Sequence, residues 1–484
     1  MDTWAPPPWA RDDHPMSRRR FTNRRPSRPY RGRRLNQPRT SEDNVRVSAA
    51  WVLERTLSSL APSSEFLSSA LDRCDECDRG LLRELSLGSL RWLRRLDHVI
   101  GLASHRPFAK IEPALKAPLR IATYQLLFLD RIPAHAAVRE GVEHARRLTH
   151  RGGASFTNAV LRRIARDPKL SAWPVDEADD IRRLAVEKSH PDFLVRRWVE
   201  RHGLPRTSVL LDANNLPKCM QLLAFRDRGG RELLAEQMID EGIQVEPSAL
   251  SPMGLLVRQG NPLFGSSFRE GAFYLQDEAS QAVALIPPPK PGERILDAAA
   301  APGGKTFTLL AWDPSLDIVA ADVSLPRLQT LHRNLKRLGR RIPTVLADAG
   351  RPATGTQFDR VILDLPCTGT GTLRKHPELK WRISEGEVGR LSRQSLRLLE
   401  GAASQIRPGG LLVAITCSLE PEENEAVVRR FLARNDQFTP LPLEEHLSRP
   451  LDRKIIGPGA WCMLPAGDHD GFTVHVLEKS SRRT

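Results

Sequence analysis

The spacing of apolar residues changes character twice along the chain. Between residues 44 and 168 they return every three or four positions, as Val47, Ala50, Leu53, Leu57 and Leu60 do, and again through "LLRELSLGSLRWLRRL". This predicts an all-helical domain. The stretch "DEADDIRRLAVEKSHPDFLVRRWVERHG" reads as a helical connector within 169–217. Residues 218–285 alternate helix and strand patterns, with "RELLAEQMIDEGIQVEP" as helix then strand, and predict a small α+β module packed on the next domain. From 286 to 484 short apolar runs alternate with amphipathic stretches, the pattern of a doubly wound α/β domain with a mostly parallel sheet. Strands are expected at 293–297, 317–322, 343–347, 358–364 and 410–416. An antiparallel hairpin built from "AWCMLP" and "GFTVHVLEK" completes the sheet. Ligands of such folds bind beyond the carboxyl ends of the strands, so the residues just after each strand are the ones to inspect.

Residues 1–43 carry no such period. The first forty hold 11 arginines, no lysine, three aspartates and seven prolines, which supplies +8 of the net +15. An arm of this kind cannot bury enough apolar surface to fold; it attracts phosphates or is simply a solvated tail. Asp2, Asp12, Asp13 and the prolines argue against a targeting helix. With a pI near 10.0, the whole chain points to a polyanion such as nucleic acid. No run of 18 apolar residues is present, so no membrane span is expected. Six irregularly spaced cysteines fit a reducing cytosol, hence a cytoplasmic protein. Cys74 and Cys77 form a CxxC without a second pair, which reads as a polar helix turn rather than a metal site. Arg91, Arg94, Arg95, Arg146, Arg147, Arg162 and Arg163 line the helices, either as RNA contacts or as a solvated face. Nothing in the sequence calls for an obligate protein partner.

The first α/β strand ends at Asp297 and runs through small residues to Gly303, Gly304 and Lys305, a loop that lets a ligand approach the backbone before a helix begins. It is not a phosphate-binding P-loop, because the two glycines are adjacent. Asp322 closes the second strand, where a carboxylate can accept both ribose hydroxyls; Asp348 closes the third, where one can accept from an adenine amino group. Together these favour S-adenosylmethionine, with a nicotinamide cofactor as the alternative.

Two thiols follow later strands: Cys367 in "LDLPCTGTG" and Cys417 in "AITCSLEPEEN". If they face one cleft, the chemistry is attack on a pyrimidine. Carbon 5 of cytosine is a poor nucleophile, and a thiolate added to carbon 6 turns the ring into an enamine that accepts a methyl group. Lys305, Arg374, Lys375 or His376 would promote the thiolate, and Asp364 would bond the ring N3 and amino edge. Spacing leaves open which thiol attacks. Cys219 and Cys462 read as packing residues, and "EPEEN" as the acidic first turn of a helix.

"LRIATYQLLFLDRIPAHAAVREGVEHARR" and "SFTNAVLRRI" resemble the NusB-like RNA-binding domain found at the front of certain ribosomal RNA methyltransferases. "LDAAAAPGGKT", "DVSLPRLQTLHRNLKRLG", "LDLPCTGTGTLRKHPELKW", "ITCSLEPEENEAVV" and "HDGF" resemble, in order, the motifs of the Sun/RsmB family of ribosomal RNA cytosine-C5 methyltransferases. The resemblance covers about residues 45–480. It implies an all-α NusB-like domain over 44–168, a small α+β, RRM-like module over 218–285, and a Rossmann-like class I methyltransferase domain over 286–484. It implies that Cys417 is the nucleophile and Cys367 the product-release thiol. It implies that Ala299, Ala300, Ala301, Pro302, Gly303, Gly304, Lys305, Asp322, Asp348 and Asp364 contact S-adenosylmethionine, with Arg327 supporting the pocket. The implied partner is ribosomal RNA of the small subunit, with transfer RNA, or a noncatalytic assembly role, as alternatives. Ala299 stands where the family commonly has cysteine, "PCTG" replaces "PCSG", and "KCMQLLAFRDRG" lacks the family's Arg-x-Asn pattern.

Overall fold

The computed structural model describes residues 44–172, 177–351, 355, 357–447 and 455–481. The arginine-rich arm read over 1–43 lies outside them. Seven α-helices, from Val45–Ser58 to Arg151–Arg166, make the N-terminal layer. In the first of these the buried residues are Val45, Ser48, Ala49, Ala50, Trp51, Val52, Leu53 and Thr56. Leu60, counted in the apolar stripe above, lies past the helix end at 89% exposure. Of the expected stripe, Ala50 and Leu53 are fully buried and Val47 and Leu57 half-buried, and only Leu60 is lost, because the helix stops at Ser58.

The small module is an antiparallel sheet of β1 (Gln221–Ala224), β2 (Gln244–Pro247), β3 (Gly254–Gln259) and β4 (Phe273–Leu275), in the order β2-β3-β1-β4. The α/β layer carries β5 (Arg294–Asp297), β6 (Asp317–Asp322), β7 (Thr344–Leu346), β8 (Phe358–Asp364), β9 (Ile406–Thr416), β10 (Phe438–Pro440), β11 (Ile455–Gly457), β12 (Ala460–Met463) and β13 (Phe472–Lys479). These run in the order β11-β12-β13-β9-β8-β5-β6-β7, with β10 on β13. β5 to β9 are mutually parallel, and β13 returns antiparallel to β9. The apolar run Val361–Leu363 of β8 is fully buried, as expected of a central strand covered on both faces. β9 begins at Ile406, four residues before the expected start, with a register shift in its pairing to β8 and Gly409 at φ 76°.

The connector is more than a spacer. Leu194, Trp198 and Leu211 of helix Asp192–Ala213 pack with Leu373, Ile383 and Leu419 of the α/β domain. Trp198 Nε1 and Arg197 Nε both donate to the buried Glu420 carboxylate, at 3.1 and 2.8 Å.

Burial keeps three histidines neutral: His190 is held well below its ordinary value, and His144 in helix Ala134–Leu148 and His475 on β13 are each pushed down to about 4. Below about pH 6.5, the ordinary histidine value, the unfolded chain therefore binds more protons than the folded one. Their stabilising contribution is whole above that pH and is lost as pH falls toward 4, by about 1.4 kcal/mol per unit for each histidine. Asp297, pushed up to about 6 chiefly by burial, acts in the opposite sense below pH 6 and offsets one of them. The expected result is a lower urea midpoint at pH 5 than at pH 7; equal midpoints would refute this account.

Candidate active site

The strand order reverses at β5, with β6 on one side and β8 on the other, which opens a crevice beyond their carboxyl ends. A cavity of about 390 Å³ fills it. The loop after β5 is tied down by Ala298 N–H donating to Ile362 O (2.9 Å) and Ala300 N–H to Ala321 O (2.8 Å). This puts Ala299, Ala300, Ala301, Pro302, Gly304 and Lys305 in the cavity wall. Gly303 is not in that wall. Its φ is 118°, and a Cβ there would lie 2.2 Å from the Phe307 ring, so this glycine serves the loop's own turn and packing.

The acids divide by role. Asp297 is buried, with Oδ2 accepting from Thr306 Oγ1 at 2.7 Å and Oδ1 without a partner, and it lines the cavity. Asp364 faces it across Lys305, whose Nζ donates to Asp364 Oδ2 at 2.5 Å. Burial works against the Lys305 ammonium, but the Asp364 carboxylate and then Asp297 outweigh it and hold the group above its ordinary value. Asp322 and Arg327 do not line the cavity. They grip one residue of its loop from both sides: Ala301 N–H donates to Asp322 Oδ2 (3.2 Å), and Arg327 Nη2 donates to Ala301 O (2.5 Å). Asp348 stands apart from the cavity wall, paired with Arg397 at 3.0 Å.

The two thiols, fifty residues apart in sequence, come within 3.4 Å, Sγ to Sγ. The pairing of β8 with β9 produces this: Asp364 lies opposite Ile415, and each chain reaches its cysteine within three residues. Both thiols line the cavity. Cys367 is held well above the ordinary thiol value by its hydrogen bond with Cys417, then by burial, and by the Glu423 and Asp364 carboxylates nearby. Lys375 and His376 also line the cavity, whereas Arg374 is turned away, donating to Gly467 O (2.7 Å) and Pro217 O (2.9 Å).

Two sequence readings change here. "EPEEN" is not a helix's first turn, since the helix starts at Glu425. Glu423 is fully buried and accepts from Thr368 N–H (2.9 Å) and Thr368 Oγ1 (2.7 Å), fixing the residue after Cys367. Three acids in five residues beside a cysteine were the available signal. Of the helix-lining arginines, Arg91, Arg94 and Arg95 are used in packing: they donate to Arg374 O, His190 O and Glu187 O respectively. Arg146 and Arg162 do line an open groove of about 500 Å³ with His135, Arg139 and Arg166, over an apolar floor of Val138 and Val142. Cys74 is half-buried and Cys77 exposed, both as free thiols. No helix among the described residues is long and apolar enough to cross a membrane.

Comparison with known proteins matches each layer separately. Residues 284–477 match the family described as 16S rRNA methyltransferase RsmB/F, 44–166 the NusB family, and 190–263 the ferredoxin-like domain of RsmF/B-like methyltransferases. The probable ribosomal RNA small subunit methyltransferase B of Bacillus subtilis is 32% identical over 91% of this chain and 99% of its own. The ribosomal RNA small subunit methyltransferase B of Pseudomonas putida is 34% identical over 90% and 98%. Among solved structures, that of PH0851 is 26% identical, with a TM-score of 0.74 over 91% of this chain and all of that one.

Proposed function

The chain belongs to the RsmB/F family of 16S rRNA methyltransferases, and from that premise we propose that it methylates carbon 5 of a cytosine in small-subunit ribosomal RNA through a bond between Cys417 and carbon 6. Its cofactor is S-adenosylmethionine, which when bound supplies an electrophilic methyl group. The residues present fit that group: Asp297 Oδ1 is a buried acceptor with no partner, suited to an ammonium, and the Ala299–Pro302 backbone borders the same space. Asp322 and Arg327 act by holding Ala301.

The observation that carries the reading is the pair of thiols 3.4 Å apart in a cavity that also holds Lys305, Asp364 and the loop after β5. The Cys417 thiolate adds to carbon 6. Asp364, bonded to Lys305 Nζ at 2.5 Å, accepts from the cytosine amino edge as electron density moves toward carbon 5. Once carbon 5 is methylated, its proton passes to solvent water, the ring double bond re-forms and the carbon–sulfur bonding pair returns to Cys417 as its thiolate, with Cys367 assisting release. The likeness of "ITCSLEPEENEAVV" to the family's motif supports Cys417 as the thiol that attacks. The base must leave its stack to reach this cavity, at a cost of a few kcal/mol. The groove with Arg139, Arg146, Arg162 and Arg166 offers the flanking RNA a basic surface. A cytoplasmic location follows from that substrate.

Attack at carbon 5 has a signature that methylation at nitrogen or ribose lacks. Small-subunit RNA carrying tritium at carbon 5 of cytosine should release one tritium to water for each methyl group gained. Methyl incorporation without tritium release would rule out the carbon 5 assignment.

A further inference from the structure

The segment after Cys367 has two working faces. On one, Thr372, Lys375, His376 and Leu379 line the catalytic cavity. On the other, the residues interleaved with and following these are bonded into the helical domain. Trp381 Nε1 donates to Leu90 O (2.8 Å), and the Arg382 guanidinium donates to Thr56 O (2.8 Å) and Ala61 O (2.7 Å). Lys380 is fully buried where three parts of the chain meet, donating to Arg91 O (3.2 Å), Ser189 O (3.4 Å) and Asn215 Oδ1 (2.6 Å).

Glu378 joins the two faces. It is 1% exposed, and its carboxylate accepts from both Ser63 N–H (3.2 Å) and Ser63 Oγ (2.9 Å). Ser63 opens helix Ser63–Leu71, whose N-cap position, Pro62, makes no side-chain bond. A carboxylate from the catalytic domain thus caps a helix of the N-terminal domain, meeting its first N–H group and its dipole. The same carboxylate lies 3.8 Å from His376 Nδ1, on the cavity side.

We propose that Glu378 is a positioning residue through which the helical domain holds His376 and the cavity wall in place for the target nucleotide. The helical domain then contributes to the methyl-transfer step as well as to RNA affinity. The proposal rests on the functional reading above for what His376 meets, while the coupling itself rests on the contacts just described.

The test uses the full chain with Ser63→Ala, Ser63→Thr, Glu378→Gln and the Ser63→Ala/Glu378→Gln double variant. Ser63 is remote from the reacting atoms, and losing its hydroxyl should lower kcat about tenfold with KM for RNA nearly unchanged. Ser63→Thr keeps the hydroxyl and should restore the rate. The double variant should be no slower than Glu378→Gln, the mark of two groups acting through one contact. In parallel, the alkylation rates of Cys367 and Cys417 are measured without RNA or cofactor, and Ser63→Ala should raise them several-fold in a protein whose melting temperature is little changed. That readout stands even if the base or the site of methylation is other than proposed. A raised KM with kcat intact, or alkylation rates equal to the parent's, would overturn the coupling.

Discussion

Cys417→Ala is expected to form no covalent complex with ribosomal RNA and to lose at least about a thousandfold in turnover, since no second group supplies the attack on carbon 6. Cys367→Ala is expected to do the reverse at the level of the complex: the adduct forms but drains slowly, so it accumulates on a denaturing gel. The two thiols are 3.4 Å apart and share one cavity, so neither outcome reflects access alone. Their surroundings differ. Cys367 sits beside the Glu423 and Asp364 carboxylates and bonds Cys417, all of which disfavour its thiolate. The same gel decides between the roles. An adduct that persists in Cys417→Ala and vanishes in Cys367→Ala would make Cys367 the nucleophile. No adduct with either variant, on RNA from a methylation-deficient host, would count against the covalent mechanism.

Gly371→Ala is expected to cost about 2–3 kcal/mol of stability and at least about a hundredfold in turnover, although residue 371 has no side chain to take part in chemistry. Its N–H donates to Cys417 O (2.9 Å), and its own carbonyl accepts from Gly471 N–H (2.7 Å). Three backbone segments, those of Cys367, Cys417 and the "HDGF" loop, meet there. A Cβ would lie 2.2 Å from Gly471 O and 2.9 Å from Cys417 O, and neither is a flexible side-chain tip that could swing aside. The loop carrying Cys417 must shift instead. Denaturant midpoints together with single-turnover methylation check this; a variant with parental stability and rate would show that the contact is slack. Gly80→Ala, in helix Arg79–Arg91, is the control, because a Cβ there would meet nothing within 4 Å.

Much of the site was legible because parallel α/β sheets place function at strand ends, and strand ends can be found from apolar runs bounded by small residues. Asp297, Asp364, Cys367 and Cys417 were located that way, as was the loop over 299–305. Asp322 and Asp348 occupy equivalent sequence positions yet do different things: one anchors the Ala301 peptide and the other pairs with Arg397. Sequence spacing does not give these partners, which depend on how distant segments pack.

What the sequence determined by itself were the local quantities: helical period, strand length, a glycine at a turn, a charged arm, and motifs that point to a methyltransferase. The tertiary structure decided which residues meet. Pairing of β8 with β9 brings Cys367 to Cys417 across fifty residues, Glu423 reaches back to Thr368, and Glu378 caps a helix 315 residues away in sequence. It also drew Arg91, Arg94 and Arg95 off the basic face and into domain contacts. The physical reason is that periodicity and propensity report on neighbours a few positions apart, whereas hydrogen bonds and ion pairs between distant segments depend on how whole layers pack.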